Sequence, residues 1–292
     1  MKRLVAVFAT IFLMGCSMGG TEGKGTPDVV VSIPPYISLV KAIVGNTMTV
    51  ESALGANFDP HTAEVTPSQM RMVQNADLFI GIGEEYEGKL LSAIREGTKE
   101  VRVLEMDERI PLLSYSQDTN FVDACRDITL PLSGSKDLHI WLGPKRLIPQ
   151  VQVMVDVLSK IKPHNQSIYE QNGEALIEKI KDLDRRLHDK LRPYQKRAII
   201  VSHAALGYFC YDYNLIQIAV ECEGKSPLPQ NVSRVYELAR NSDVICVFTA
   251  PQFNNKGAEL VAKELKLRVI PFDPLSEDIL ETLEEIGNMI AQ

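Results

Sequence analysis

Short runs of apolar, mostly β-branched residues recur along the chain at Val29 to Val31, Leu78 to Ile82, Val101 to Leu104, Ile199 to Val201, Val244 to Phe248 and Leu267 to Ile270. Their hydrophobicity is continuous and does not alternate, which is the pattern of strands covered by helices on both faces of a parallel sheet. Stretches with helical spacing, such as Gln69 to Val73 and Ala258 to Leu265, lie between them. This βαβα order predicts an α/β fold.

The pattern is written twice. Asn75-Ala76-Asp77-Leu78 opens one run and Asn241-Ser242-Asp243-Val244 opens another. Val101-Arg102-Val103-Leu104 with Asp107 matches Leu267-Arg268-Val269-Ile270 with Asp273 at the same offset, and Val30-Val31-Ser32 echoes Ile200-Val201-Ser202. Two α/β lobes with central parallel-type sheets are therefore expected. Between them, Ile168, Ala175, Leu176, Ile180, Leu183, Leu187 and Leu191 follow one another at mostly three- and four-residue steps, with no proline between Pro163 and Pro193. That is one long amphipathic helix, on the order of 40 Å at about 1.5 Å per residue. It reads as a rigid strut joining the lobes.

The N-terminus adds a destination. Lys2 and Arg3 precede an apolar run from Leu4 to Met14, too short to span a bilayer comfortably and matching a secretory signal. Leu13-Met14-Gly15-Cys16 resembles the bacterial lipobox, which implies cleavage before Cys16 and a diacylglyceryl group on its sulfur. The Gly-rich stretch after it reads as a tether to a membrane surface. The expected organisation is a signal segment 1–15, a lipid-anchored tether 16–27, a first lobe 28–163, the linking helix 164–193 and a second lobe 194–292.

Charge and cysteine content narrow the function. A net charge of -7 with no basic cluster argues against nucleic acid as a partner. Once Cys16 is set aside, Cys125, Cys210, Cys222 and Cys246 form no C-x-x-C pair, so a four-thiolate zinc site has little support. A Cys222–Cys246 disulfide and buried free thiols both stay open.

The chain has five histidines, and three fall where ligands gather in open α/β sheets, near the carboxyl ends of strands. His203 ends the run Ile199-Ile200-Val201-Ser202, His139 lies in a turn-like stretch before a helical run, and His61 lies in a loop after the apolar segment around Val50. Asp273 follows Ile270-Pro271-Phe272 at another strand end. Three imidazoles and one carboxylate meeting in the interlobe cleft suit a four-coordinate zinc ion. Imidazole also serves iron, copper and nickel, and the carboxylate keeps manganese open. His164 and His188, at the start of and within the linking helix, read as solvated.

Four segments carry a family resemblance. Asp59-Pro60-His61-Thr62-Ala63-Glu64 with Thr66-Pro67-Ser68, His139-Ile140-Trp141-Leu142 with Pro144, Ser202-His203-Ala204-Ala205-Leu206-Gly207-Tyr208-Phe209, and Asp273-Pro274-Leu275 occur in that order. Together they resemble the zinc/manganese-type substrate-binding lipoproteins of bacterial ABC importers, over nearly the whole mature length. The resemblance implies a monomeric metal receptor on the periplasmic or extracellular face of a membrane. Its partners would be a permease and that permease's cytoplasmic ATPase, and its metal ligands His61, His139, His203 and Asp273. Ala63 and Val65 depart from a usual aromatic and proline, and Leu138 and Gly143 from a usual Pro and Asp or Ser; all four neighbour ligands. His203 stands where manganese-preferring relatives often carry Glu, which favours zinc over manganese or iron, although the His-rich loop of many zinc receptors is missing.

The alternative is a metal-dependent hydrolase using the same cluster, with Glu64 as the nearest candidate base. No H-E-x-x-H motif supports it. A serine hydrolase fares worse, because adjacent Ser202 and His203 on a strand point to opposite faces and no G-x-S-x-G elbow is present. Gly81, Gly83 and Gly88 miss the dinucleotide spacing and read as turn residues.

Overall fold

A computed structural model of the chain describes residues 26–114, 121–123, 136–221 and 229–292. The lipidation candidate Cys16, the signal and most of the tether, Cys125 and Cys222 lie outside the described residues. Cys246 is a buried free thiol, and burial pushes its pKa up to about 12.

The first half runs β1 (Val29–Val31), α1 (Pro35–Val44), β2 (Val50–Ser52), α2 (Pro67–Asn75), β3 (Leu78–Gly81), α3 (Glu87–Glu96) and β4 (Arg102–Glu105). The second half runs β5 (Phe121–Asp123), α4 (Pro144–Ile161), α5 (Gln166–Leu191), β6 (Ala198–Val201), α6 (Gly207–Tyr213), β7 (Ile216–Ala219), α7 (Pro229–Arg240), β8 (Val244–Thr249), α8 (Lys256–Leu265), β9 (Val269–Pro271) and α9 (Ile279–Ile290). The strands form two sheets, ordered β2-β1-β3-β4 and β5-β7-β6-β8-β9, and every strand pairing is parallel. Each residue of β1, β3 and β6 is buried, as continuous hydrophobicity requires.

The two sheets repeat one topology. The order β2-β1-β3-β4 maps onto β7-β6-β8-β9, and the sequence echoes fall on equivalent strands: β1 with β6, β3 with β8, β4 with β9. In each sheet the strand order reverses next to the first of these strands, which is where α/β sheets bind ligands. One segment crosses the division read from sequence. Strand β5 lies within 28–163 yet pairs with β7, extending the second sheet.

The long helix is α5, with 26 residues and hence roughly 39 Å at about 1.5 Å per residue. Leu176, Ile180, Leu183, Leu187 and Leu191 of the expected stripe are buried, but Ile168 and Ala175 are exposed, and Tyr169 takes the inward place at the start of the helix. At Gly173 an added Cβ would stand 2.4 Å from Val155 Cγ2 of α4, and at Gly287 of α9 it would stand 2.2 Å from Leu187 Cδ2, so neighbouring helices approach α5 closely at both ends. One hydrophobic core runs from the first sheet through α4 and α5 to the inner residues Ile199, Val201 and Phe248 of the second. A smaller cluster fills the outer face of the second sheet around Ile200, Val247 and Val261. Because a single core joins the lobes, large hinge motion would break close packing.

Candidate metal centre

Each histidine is presented by a short local device. His61 follows β2, and Asp59 turns the loop back by accepting the His61 backbone N–H at 2.9 Å. The adjacent Thr66-Pro67-Ser68 begins α2, where Thr66 and Gln69 form a reciprocal capping box with Pro67 at the first helical position. Glu64, three residues past His61, is exposed and forms none of the ion pairs to the histidines.

His139 is held by Asp137, whose Oδ1 accepts from both the backbone N–H at 2.9 Å and the ring Nδ1 at 2.8 Å. Asp137 is itself buried and pinned. Tyr208 Oη donates to its carbonyl at 2.7 Å, and its backbone N–H bonds the Leu113 carbonyl at 3.0 Å. A Cβ at Gly207 would stand 2.4 Å from Asp137 Oδ2, so only glycine leaves this carboxylate its place. His203 lies two residues beyond β6, and Phe253 stacks on it with ring centroids 4.0 Å apart and planes at 14°.

The three rings converge. His203 Nε2 lies 3.1 Å from His61 Nε2 and 3.1 Å from His139 Nε2, and one donor atom from each ring falls within 4.8 Å of the others. Each outer nitrogen faces a carboxylate: His61 Nδ1 to Glu84 at 3.3 Å, His139 Nδ1 to Asp137 at 2.8 Å, His203 Nδ1 to Glu221 at 3.1 Å. A proton held at Nδ1 leaves the Nε2 lone pair aimed inward, which is the tautomer that a metal-binding imidazole requires.

The surroundings set the protonation states. Burial drives the His203 ring well below its ordinary pKa, and the charges His139 and His61 would carry lower it further. The buried Glu221 beside it is pushed up to about 7 by burial and by Asp59, against the lowering charge of His61. At His61 burial lowers the pKa, but the hydrogen bond and charge of Glu84, with Asp59 and Glu221, outweigh it and raise the net value. Burial likewise opposes ionisation of Glu84, yet its hydrogen bond to His61 and the charges of His61 and His139 hold its carboxyl low. Glu84 Oε1 is buried and has no hydrogen-bond partner among the described residues. An ionised oxygen so placed is poorly compensated, and a nearby divalent cation would relieve it.

Asp273 lies outside the group of three donors, at the same rim. Its Oδ1 accepts from Gln252 Nε2 at 2.8 Å and from the Leu275 N–H at 2.9 Å, while the next carbonyl, Pro274, accepts from Trp141 Nε1 at 2.8 Å. His164, just before α5, and His188, within it, are exposed and do not belong to this group of donors. Glu84, Asp137 and Glu221 carry no motif of their own in the sequence. Asp137 stood two residues before His139, and Glu84 and Glu221 follow the carboxyl ends of β3 and β7, the position that singled out the histidines.

Replacing Asp137 by Asn keeps an acceptor for the backbone N–H but weakens the hold on Nδ1. Zinc affinity is expected to fall about 10- to 100-fold, the usual effect of losing a carboxylate behind a ligating imidazole. Competitive titration against a chelator checks this, and an unchanged affinity would contradict it.

Comparison with known proteins shows which family the fold belongs to. The profile of a family described as ZnuA, zinc-uptake complex component A, periplasmic, matches residues 29–290. A putative metal-binding protein of Chlamydia trachomatis is 29% identical over 98% of each chain. The high-affinity zinc uptake system protein ZnuA of Bacillus subtilis is 25% identical, covering 96% of this chain and 88% of its own. A crystal structure of ZnuA superposes with a TM-score of 0.80 at 29% identity, over 91% of this chain and 98% of that one.

Proposed function

The chain belongs to the family of periplasmic zinc-uptake complex A components, and from that membership we propose that it captures one zinc ion in the interlobe cleft and delivers it to an ABC importer. It is a transport component and not an enzyme, so zinc is its cargo. The observation that carries the reading is the convergence of three Nε2 atoms, each backed by a carboxylate on the opposite ring nitrogen.

His61, His139 and His203 supply three nitrogen donors, and Asp273, at the same rim, supplies the fourth ligand. Three nitrogens and one oxygen form a closed tetrahedral sphere with no place for a substrate water, as transport and not hydrolysis requires. Nitrogen-rich donors favour zinc over manganese, which suits oxygen-rich sites. Release at the permease begins when Asp273 withdraws.

The lobes are 28–163, save for strand β5, and 194–292, joined by the strut 164–193. Segment 1–15 directs export, and Cys16 at the head of the tether 16–27 carries lipid that holds a monomer beside its permease and the attached ATPase. Among the described residues no helix is long and apolar enough to cross a membrane. Intact-mass measurement of protein from membranes tests the anchor: a diacylglyceryl adduct on Cys16 is expected, and an unmodified Cys16 contradicts it.

Acid should release the cargo through His61. Its pKa is raised above the ordinary 6.5, so it gains a proton at higher pH than a free imidazole, whereas His203 stays neutral to much lower pH. Zinc affinity is expected to be flat well above that raised value and to fall about tenfold per pH unit below it. In the metal-free protein the His61–Glu84 pair has a different window. The raised His61 pKa adds stability below pH 6.5 that is lost as pH rises through its folded value, and the lowered Glu84 pKa adds stability above 4.5 that is lost as pH falls through its own. Isothermal titration at a series of pH values checks the affinity profile; a pH-independent affinity would contradict it.

The function itself is tested by elemental analysis of protein purified under native metal conditions, followed by competition of zinc against manganese. One zinc per chain and strong preference for zinc are expected. Metal-free protein that fails to take up zinc would overturn the reading.

A further inference from the structure

Gln252 lies in the turn after β8, and its side-chain amide joins two sides of the cleft. Nε2 donates to the Ala56 carbonyl at 2.6 Å and to Asp273 Oδ1 at 2.8 Å. Ala56 belongs to the loop that ends in His61, on the first lobe; Asp273 follows β9, on the second. A carbonyl and a carboxylate both accept, so the nitrogen of the amide must face them, and both of its protons are used. Oε1 then points elsewhere, buried and without a hydrogen-bond partner among the described residues. That arrangement is costly, because a buried acceptor has given up water with no replacement.

The turn holding Gln252 is firm. Asn255 closes it by accepting from the Ala250 N–H at 3.2 Å and donating to the Ala250 carbonyl at 2.9 Å, and the Phe253 N–H bonds the Ala250 carbonyl at 3.2 Å. The next residue, Phe253, is the ring stacked on His203. One short turn therefore touches His203 by stacking, Asp273 by hydrogen bond and the His61 loop through Ala56.

We propose that Gln252 is a positioning residue for metal capture, whose amide, anchored on the Ala56 carbonyl of the His61 loop, holds the Asp273 carboxylate in the placement that the ion needs. Oδ1 of Asp273 is engaged by Gln252 and by the Leu275 N–H, which leaves Oδ2 as the oxygen for the ion. This inference rests on the capture reading above, with Asp273 as fourth ligand.

A double-mutant cycle tests it. Gln252→Leu keeps comparable bulk, one bond shorter, and removes the amide; Gln252→Glu keeps the volume but, ionised, can only accept, setting one carboxylate against another. Zinc affinities by competitive titration are compared for the native chain, each Gln252 variant, Asp273→Ala and the Gln252→Leu/Asp273→Ala double variant, with far-UV circular dichroism and metal-free melting confirming the fold. Each Gln252 variant is expected to bind about 10- to 100-fold more weakly, as for other residues that orient a ligand. In the Asp273→Ala background, Gln252→Leu is expected to cost no more than about twofold further, since the two act as one unit. Equal losses in both backgrounds would reduce Gln252 to a general structural role and overturn the inference. So would native-like affinity of the folded Gln252 variants beside a native chain that binds zinc tightly. A native chain that binds no zinc overturns the capture reading as well, which keeps the two failures apart.

Discussion

His203→Ala is expected to weaken zinc binding by at least about a hundredfold while leaving the protein folded. Structural zinc binding contributes roughly 10–16 kcal/mol, so one of four ligands accounts for about 3–4 kcal/mol, or some two to three decades in affinity. The structure adds a reason to choose this histidine. His203 makes the closest nitrogen approaches, its Nε2 lying 3.1 Å from each partner Nε2. Its removal takes away one donor and strips the stacked face from Phe253. The exposed His188→Ala serves as the control and should bind as the native chain does. Calorimetry decides the matter, and full-strength binding by His203→Ala would refute the ligand assignment.

Trp141→Ala should produce the largest loss of stability, about 3–5 kcal/mol for emptying a fully buried indole site. Trp141 is 1% exposed, its ring lies 5.1 Å from that of His139, and Nε1 donates to the Pro274 carbonyl at 2.8 Å. It thus packs beneath one proposed ligand and holds the residue beside another. For a chain of this size, such a loss lowers the melting temperature by roughly 2–4 °C per kcal/mol. Metal-free thermal unfolding checks this, and a shift under about 3 °C would contradict the packing role. Zinc should restore less stability to the variant than to the native chain, because a loosened His139 and Asp273 bind it more weakly.

Much of this was legible in the sequence because its chemistry is local. Runs such as Val29 to Val31 and Ile199 to Val201 could only be doubly covered strands, and the paired echoes at 75–78 with 241–244 and 101–104 with 267–270 foretold two sheets of one topology. The apolar spacing from Ile168 to Leu191 marked α5 to within a few residues. What escaped depends on contacts distant in sequence. Strand β7 is only four residues long and has Gln217 at its centre, which masks its apolar character; in the fold Gln217 is fully buried and accepts the Leu206 N–H at 2.7 Å. With β7 unseen, Glu221 at its carboxyl end had no position to recommend it. Strand β5 joins the second sheet from a segment far upstream, and no periodicity in three residues announces such a partner. Glu84 stood among glycines that read as turn residues, and only the folded loop aims it at His61. Gln252 carries no sequence signal for its role, since its meaning lies in two acceptors contributed by two lobes.

The most direct test is X-ray diffraction from zinc-soaked crystals on both sides of the zinc absorption edge. One anomalous peak is expected, about 2.0–2.2 Å from Nε2 of His61, His139 and His203 and from a carboxylate oxygen of Asp273. A zinc peak elsewhere, or no peak among these rings at saturating zinc, would contradict the metal centre described here.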